Sequence, residues 1–130
     1  MKPKFRAWDR IKKRMFLVLE IDYENELVSD ETYWNTIPFD DVKIMQFTGL
    51  KDRYGEEIYE GDIVRFFECD GDGYTVPVVW DNDYACFSVD WGSNMLSSFD
   101  YLYLEEFYTD IKDIEVVGNI YENPGLLGGK

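Results

Sequence analysis

The residues of this sequence that could carry catalysis are carboxylates standing side by side along the chain. Three such pairs are Asp40-Asp41, Glu56-Glu57 and Glu105-Glu106, and the chain contains no histidine, the usual general base near neutral pH. Neighbouring side chains of a β-strand point to opposite faces, so adjacency alone does not build a catalytic dyad. The sequence also lacks a nucleophile elbow, a P-loop and a dinucleotide-binding glycine motif. We therefore expect surface or structural roles for these pairs, no catalytic residues and no cofactor.

The segment Asp70-Gly71-Asp72-Gly73 could offer carboxylate oxygens, the ligands that calcium prefers. It lacks the full twelve-residue loop of a calcium hand and its closing bidentate glutamate. A tight hairpin turn uses Asp and Gly for backbone reasons alone. The sequence therefore predicts a turn here and no metal site.

Cys69 and Cys86 are the only cysteines, too few for a cysteine-based zinc site. Turns placed symmetrically would pair Cys86 with Val78, and Val78 with Arg65, on neighbouring strands. The two thiols would then lie two strands apart and out of step, beyond the reach of a disulfide. Two free thiols are expected, as in a reducing cytosol.

The basic run Lys12-Lys13-Arg14, flanked by Trp8 and Phe16, resembles the pattern of nucleic-acid binders, with cations for phosphates and rings for bases. Residues 1–14 hold seven Lys and Arg against one Asp, a net charge of +6, whereas residues 15–130 carry −20. An acidic body repels phosphate, so nucleic acid is not an expected partner. The favoured interpretation is a solvated basic hairpin, because exposed ion pairs contribute little. Docking of the basic arm on an acidic neighbouring copy is an alternative, and it is more plausible than nucleic-acid binding.

Apolar patterning predicts an N-terminal β-hairpin, formed by Lys4–Trp8 and Arg14–Tyr23 around a polar loop. In the second run the odd residues from Leu17 to Tyr23 form the apolar face. A charged, mobile connection is predicted over Glu24–Glu31, followed by a strand over Thr32–Ile37 that Pro38 ends.

The centre of the chain predicts a meander of three strands, the clearest local pattern in the sequence. Both faces of this meander hold apolar side chains: Ile63, Phe67, Val76 and Trp80 on one, and Val64, Phe66, Val79 and Phe87 on the other. One face is therefore expected to fill a small barrel, and the other to be covered by other segments or another subunit. Pro77 suggests an edge strand or a bulge. The predicted segments are strands at Val42–Phe47, Ile63–Cys69, Tyr74–Trp80, Tyr84–Val89 and Asp113–Tyr121, a turn at Asp52–Gly55, a helix or alternatively a strand at 98–108, and a glycine-rich tail at Gly125–Lys130.

Three motifs follow one another along the chain: Lys4–Asp9 (KFRAWD), the longest from Met45 to Val64 (MQFTGLKDRYGEEIYEGDIV), and Ile114–Pro124 (IEVVGNIYENP). These motifs and their order resemble those of the YopX family of phage and prophage proteins. The resemblance implies a mainly β fold with an SH3-like barrel, and self-association. It implies no activity and transfers no catalytic residue. The motifs themselves read as fold-specifying turns, with Pro124 stopping the last strand.

We therefore predict a mainly β fold, either a small SH3-like barrel or a strongly bent antiparallel sheet, with an N-terminal β-hairpin and at most one or two short helices. One YopX-like domain is expected over 1–130, comprising a basic hairpin at 1–23, a barrel core at 42–121 and a tail at 122–130.

The expected function is that of a non-enzymatic phage or prophage accessory protein that acts through protein–protein contacts and forms a homo-oligomer. Its 9 Phe, 10 Tyr and 4 Trp exceed the needs of a minimal core and favour contact surfaces. The partner would be a phage or host protein. One alternative is an acidic decoy that inhibits a host nucleic-acid-binding protein, and another is weak nucleic-acid binding through the basic arm. Without a membrane span or signal peptide in the sequence, we expect the cytoplasm of the bacterial host.

Overall fold

The computed structural model of the chain describes residues 3–32, 34–66, 75–92, 95–98 and 114–128. Within these ranges the protein has twelve β-strands, one 3-10 turn and one four-residue helix. The predicted fold class, mainly β with a small barrel-like sheet and at most one or two short helices, is confirmed for this part of the chain. Backbone contacts group the residues into two compact units, residues 1–47 and 48–130.

The first unit begins with the predicted hairpin. Strand β1 lies between β2 and β6, and Ala7 of β1 stands opposite Phe16 on one side and Ile44 on the other. Three short strands, β3 to β5, form a second antiparallel sheet in chain order. The elements are β1 (Phe5–Asp9), β2 (Arg14–Leu17), β3 (Glu20–Asp22), β4 (Leu27–Ser29), β5 (Thr36–Pro38), a 3-10 turn (Phe39–Asp41) and β6 (Val42–Lys51), which continues into the second unit.

The prediction of one continuous strand over Arg14–Tyr23 is wrong, and so is its apolar odd face. The N–H of Val18 donates to the carbonyl of Phe5 in one sheet, whereas the N–H of Leu19 donates to Ser29 in the other. The chain therefore changes sheets between these two residues. As a result Phe16 is buried in the core of the unit, together with Ala7, Val28, Ile37 and Val42, while Leu17, Leu19 and Tyr23 are exposed.

The connection predicted over Glu24–Glu31 contains a strand instead. Val28 in β4 is fully buried, because β4 is the central strand of its sheet and its side chain enters the core of the unit. The strand predicted over Thr32–Ile37 is confirmed only at its end, since β5 begins at Thr36. Thr32 and Asn35, which precede β5, donate hydrogen bonds to the carboxylate of Asp30.

The second unit contains a five-stranded antiparallel sheet in the order β11-β10-β9-β8-β12, which confirms the predicted meander of β8, β9 and β10. Strand β7 lies beside β6, where the hydroxyl of Thr48 donates to the carbonyl of Ile58 at 2.7 Å. The strands are β7 (Glu57–Tyr59), β8 (Asp62–Phe66), β9 (Thr75–Asp81), β10 (Cys86–Gly92), β11 (Met95–Ser98) and β12 (Ile114–Asn119), followed by the short helix α1 (Gly125–Gly128).

The predicted register of the meander is wrong by three residues in both hairpins. Cys86 stands opposite Asp81 rather than Val78, and Arg65 stands opposite Thr75 rather than Val78. The β9–β10 turn is longer than expected, because it spans residues 82–85 and places Ala85 in the left-handed region at φ 53°. The predicted turn at 70–73, and the helix or strand at 98–108 apart from Ser98 in β11, lie outside the described residues.

The observed register regroups the core of the second unit. Val64 stands opposite Val76, so the two share a face, contrary to the predicted division of the meander. They pack with Ile58, Phe66, Val78, Val89 and Ile114. Ile63 and Val64 are neighbours in β8 and both are fully buried, so both faces of that strand are covered.

Pro77 lies in the central strand β9, so the prediction of an edge position is wrong. Residues Thr75–Pro77 of β9 pair with β8, whereas Val78–Asp81 pair with β10. Pro77 therefore lies where β9 changes its pairing partner. The pairing with β10 stops at Val78, the neighbour of Pro77, so that ladder does not need the N–H that proline lacks.

The last strand is confirmed, but Pro124 does not end it. Strand β12 ends at Asn119, whose side-chain oxygen accepts the N–H groups of Tyr121 and Glu122 at 3.0 and 2.9 Å. This local turn takes up the backbone donors that would otherwise extend the ladder. Gly118 leaves room for it, because a Cβ there would lie 2.5 Å from the side-chain oxygen of Asn123.

Candidate protein-binding loops

In the part of the chain that the structure describes, four buried aspartates share one arrangement. Each accepts hydrogen bonds from the backbone of the loop that follows it, and each of these loops presents a large apolar side chain to solvent. Two lie in the first unit and two in the second. We call the loops that follow these aspartates the braced loops. Each combines a buried aspartate with an exposed side chain: Asp9 with Ile11, Asp30 with Trp34, Asp52 with Tyr54, and Asp81 with Tyr84.

The first braced loop is the tip of the β1–β2 hairpin. The carboxylate of Asp9 accepts the N–H groups of Ile11 and Lys12 at 2.9 and 3.0 Å. The N–H of Lys13 donates to the Asp9 carbonyl at 2.9 Å, and Lys13 takes a left-handed backbone at φ 57°. Ile11 is 71% exposed at the centre of this tip.

The second braced loop connects β4 to β5. Asp30 accepts the N–H and hydroxyl of Thr32 at 2.9 and 2.6 Å and the side-chain amide of Asn35 at 2.7 Å. The Thr32 groups donate to Oδ1 of Asp30, whereas Asn35 and the Arg14 guanidinium both donate to Oδ2, the latter at 2.7 Å. These hydrogen bonds, those of Thr32 and Asn35 foremost, hold the pKa of the Asp30 carboxyl well below its usual range. Trp34, whose N–H donates to the Thr32 hydroxyl at 3.2 Å, is 90% exposed.

The third braced loop joins β6 to β7. One carboxylate oxygen of Asp52 accepts the N–H groups of Tyr54 and Glu56 at 2.8 and 2.9 Å. Its other oxygen accepts the N–H of Val116 in β12 at 2.9 Å, 64 residues away along the chain. The turn predicted at Asp52–Gly55 is present, and Gly55 adopts a positive φ of 83°. Tyr54 is 69% exposed.

The fourth braced loop is the β9–β10 turn. Asp81 is buried, and its carboxylate accepts the N–H groups of Asp83 and Tyr84 at 2.9 and 3.3 Å. Tyr84 is 82% exposed. At the base of this turn the rings of Trp80 and Phe87 meet edge to face, with centroids 5.0 Å apart. The turn therefore projects Tyr84 from a packed aromatic base.

The braced loops hold their large apolar side chains in contact with water. A loop without such hydrogen bonds would be free to turn these side chains against the protein. A hydrogen bond to a charged acceptor stabilises a fold by about 1.5–3 kcal/mol, so each aspartate favours one loop conformation. A loop already ordered in its bound conformation loses less entropy on binding. Tyrosine and tryptophan are the residues most enriched where protein interfaces gain their energy. Chemically, the braced loops are suited to protein contacts.

The described carboxylates of the pairs singled out in the sequence are exposed or half-buried. Asp40 is exposed and Asp41 half-buried in the 3-10 turn, while Glu56 is exposed and Glu57 half-buried at the start of β7. Glu105-Glu106 and the Asp70–Gly73 segment lie outside the described residues. Among the residues that are described, no group of three or more Asp, Glu or Cys side chains could hold a metal ion. Cys86 is a half-buried free thiol, and Cys69 is not among the described residues.

The basic run has a different environment from the one its sequence suggests. Trp8 and Phe16 are buried, so neither ring can stack on a base. The Arg14 guanidinium lies over the Phe16 ring at 5.0 Å and pairs with Asp30. The exposed cations of this arm in the described region therefore include Arg10, Lys12 and Lys13, but Arg14 is engaged within its own unit.

Sequence reasoning did not identify the four aspartates as buried groups. A signal was available at Asp9 and Asp52, which lie inside the YopX-like motifs, and Asp52 begins a recognised turn. Burial of the carboxylate itself depends on partners far along the chain, such as Val116 for Asp52 and Arg14 for Asp30. No helix of the described residues is both long and apolar enough to cross a membrane.

Comparison with known proteins identifies the family of this chain. The family model "YopX protein" matches residues 4–128. Protein EF1440 from Enterococcus faecalis, a crystal structure, is similar with a TM-score of 0.66 and 26% identity over 98% of this chain and 99% of that one. Protein yopX from Bacillus subtilis, also a crystal structure, has a TM-score of 0.62 and 22% identity over 95% and 97%. No curated protein matches the chain. Since the family model spans nearly all of its residues, the chain belongs to the YopX family.

Proposed function

We propose that this protein is a non-enzymatic accessory protein of a phage or prophage that acts by binding proteins, including a second copy of itself. The observation that carries the proposal is Trp34, a tryptophan that is 90% exposed on a loop fixed by a buried aspartate. Three further braced loops present Ile11, Tyr54 and Tyr84 in the same way. The resemblance to the YopX family of phage and prophage proteins supports the proposed phage or prophage setting, and the bacterial cytoplasm is the proposed location.

The energetic argument concerns Trp34. An aromatic side chain of this kind buries about 150–250 Å², and burial is worth about 25 cal/mol per Å², so full burial in an interface would contribute about 4–6 kcal/mol before the costs of association. Keeping such a ring in water gives the isolated chain no benefit. A hydrogen-bond network around Asp30 that holds the Trp34 ring in water is therefore consistent with a partner that covers the ring.

The chemistry of the buried carboxylates supports binding over catalysis. A general acid needs a pKa near the working pH, and the pKa of Asp30 is lowered, away from neutrality. Both oxygens of Asp52, and one oxygen each of Asp9 and Asp81, accept backbone N–H groups. These hydrogen bonds order loops.

The test is affinity capture with the full-length protein as bait in extracts of infected bacterial cells. We compare wild type with Trp34→Ser, Tyr84→Ser and a control, Leu17→Ser, which removes an exposed leucine from strand β2 rather than from a braced loop. We expect at least one loop variant to lose a specific captured protein that wild type and the control retain. The captured protein is then purified, and its affinity for each variant is measured directly.

Sedimentation of the same variants tests the self-association. The proposal is contradicted if all variants capture the same proteins as wild type and sediment alike. Capture of a nucleic-acid-binding protein that releases its nucleic acid when this chain binds would instead support the acidic decoy. Turnover of a substrate by the purified chain would overturn the non-enzymatic assignment.

A further inference from the structure

The two units of this protein differ strongly in charge. Residues 1–47 hold eight Lys and Arg against nine Asp and Glu, a net charge of −1. Residues 48–130 hold five against eighteen, a net charge of −13. Nearly all of the net negative charge therefore belongs to the second unit, and the basic residues are concentrated near the start of the first.

The β1–β2 tip, residues 10–13, gathers this positive charge on a fixed support. Arg10, Lys12 and Lys13 are all exposed and surround the exposed side chain of Ile11. The carboxylate of Asp9 accepts N–H groups of the tip, and the N–H of Arg10 donates to the carbonyl of Asp41 at 2.9 Å, which connects the tip to the end of the 3-10 turn before β6. The tip is thus a preorganised knob with an apolar centre and a cationic rim.

This composition fits a protein surface better than a phosphate backbone. The rings next to the basic run, Trp8 and Phe16, are buried and cannot stack on bases. Ile11 would stay in water on a phosphate backbone, whereas a protein surface can bury it. An apolar centre with a charged rim is the usual anatomy of a protein interface.

We propose that the β1–β2 tip of one copy docks on exposed carboxylates in the described part of residues 48–130 of a second copy, which include Glu56, Asp83 and Glu122. This inference rests on the self-association proposed above and names the element that carries it. Charge complementarity identifies the occupant, because the same chain supplies both a cationic knob and a unit with a net charge of −13. Complementary charges speed encounter and set orientation, and burial of Ile11 slows dissociation.

The first experiment measures self-association by sedimentation velocity over a concentration series. The tip variant Lys12→Glu/Lys13→Glu is compared with Lys43→Glu/Lys51→Glu, which changes net charge equally at two exposed lysines of β6. We expect the tip variant to weaken association at least tenfold and the control less than twofold. Raising the salt from about 0.1 M to 1 M shortens the Debye length from about 10 to 3 Å and should weaken the wild type as well.

The second experiment locates the contact by zero-length carbodiimide cross-linking of an equimolar mixture of ¹⁴N- and ¹⁵N-labelled protein. Mixed-isotope cross-links identify intermolecular contacts. We expect them between Lys12 or Lys13 and carboxylates of residues 48–130, with fewer from Lys43 or Lys51.

The outcomes separate this inference from the proposed function. Association that persists unchanged in the tip variant, or weakens equally in the control, overturns the inference and leaves self-association standing. A wild-type chain that stays monomeric overturns both the inference and the self-association, while capture of other proteins remains a separate result. A tip-dependent gel shift of DNA or RNA at low salt, without self-association, would overturn the inference in favour of nucleic acid.

Discussion

Replacing Asp52 with alanine removes the brace that ties the β6–β7 loop to strand β12. The carboxylate accepts three N–H groups, from Tyr54, Glu56 and Val116. Tyr54 and Glu56 are exposed, so water can take over their N–H groups, whereas Val116 is half-buried in a sheet. Hydrogen bonds to a charged group contribute about 1.5–3 kcal/mol each, and an unsatisfied buried donor costs about 1–3 kcal/mol. We expect Asp52→Ala to lower the free energy of unfolding by about 3–5 kcal/mol.

The asparagine variant separates the two oxygens of this brace. An amide can keep one acceptor for Tyr54 and Glu56, but its NH₂ group then faces the N–H of Val116, donor against donor. Asp52→Asn should therefore retain the turn and lose the tie to β12, at a cost of about 2 kcal/mol from one lost charged hydrogen bond. Asp83→Asn, a change at an exposed aspartate, is the control and should stay within about 0.5 kcal/mol of wild type.

The assay is urea unfolding followed by circular dichroism, combined with amide hydrogen exchange. The unfolding midpoint should fall in the order wild type, Asp52→Asn, Asp52→Ala, with an unchanged m-value. Exchange at the Val116 amide should accelerate in both Asp52 variants and stay unchanged in Asp83→Asn. A loss below about 1 kcal/mol in Asp52→Ala, or unchanged exchange at Val116, would refute the assignment of Asp52 as a buried tie rather than a surface turn residue.

Three further predictions concern the pH dependence of stability, the close approach of Gly118 to Asn123, and the burial of one face of β2. Because the pKa of Asp30 is lowered from 3.8 in the folded state, its contribution to stability is present above that value and is lost as the pH falls below it; Asp30→Asn should flatten the acid limb of a stability–pH curve. Gly118→Ala should cost about 1–3 kcal/mol in chemical unfolding, because its Cβ meets Asn123, and Asn123→Ala in the same chain should recover part of the loss. Phe16→Ala should cost about 3–5 kcal/mol, against less than about 1 kcal/mol for the exposed Leu17→Ala; equal losses would contradict the burial of β2.

Local sequence patterns predicted much of this fold. The features that were predicted wrongly depend on long-range geometry. The first hairpin, the central meander and the last strand all follow from alternating apolar residues bounded by turn residues. The odd face of Arg14–Tyr23 was mistaken because the chain changes sheets between Val18 and Leu19, which no periodicity reveals. The meander register failed because it assumed symmetric turns, and the four-residue turn before Cys86 shifts the pairing. The division of the chain into 1–23, 42–121 and 122–130 stays a prediction.

The candidate site was harder to predict than the fold because it depends on burial. An aspartate near a turn is expected to be exposed, and the sequence of residues 52–55 accounts for it as turn chemistry. Only the pairing of β8 with β12 positions the Val116 N–H against Asp52, and only the three-stranded sheet encloses Asp30. The exposed residues Trp34 and Tyr84 are likewise ordinary aromatic residues until the loops that carry them are known to be fixed.

The braced loops and the charge asymmetry contribute different quantities to binding. Apolar side chains such as Trp34 supply burial, which sets how slowly a complex dissociates, while charge sets how fast and in which orientation it forms. In the β1–β2 tip the two coincide, because Ile11 stands among three exposed cations on a turn fixed by Asp9. Replacing Asp9 with alanine removes the acceptor of the Ile11 and Lys12 N–H groups, so it should weaken association through both terms without removing a single exposed side chain. That result would distinguish a preorganised tip from a flexible charged arm, whose binding would depend on its lysines and not on the buried carboxylate beneath them.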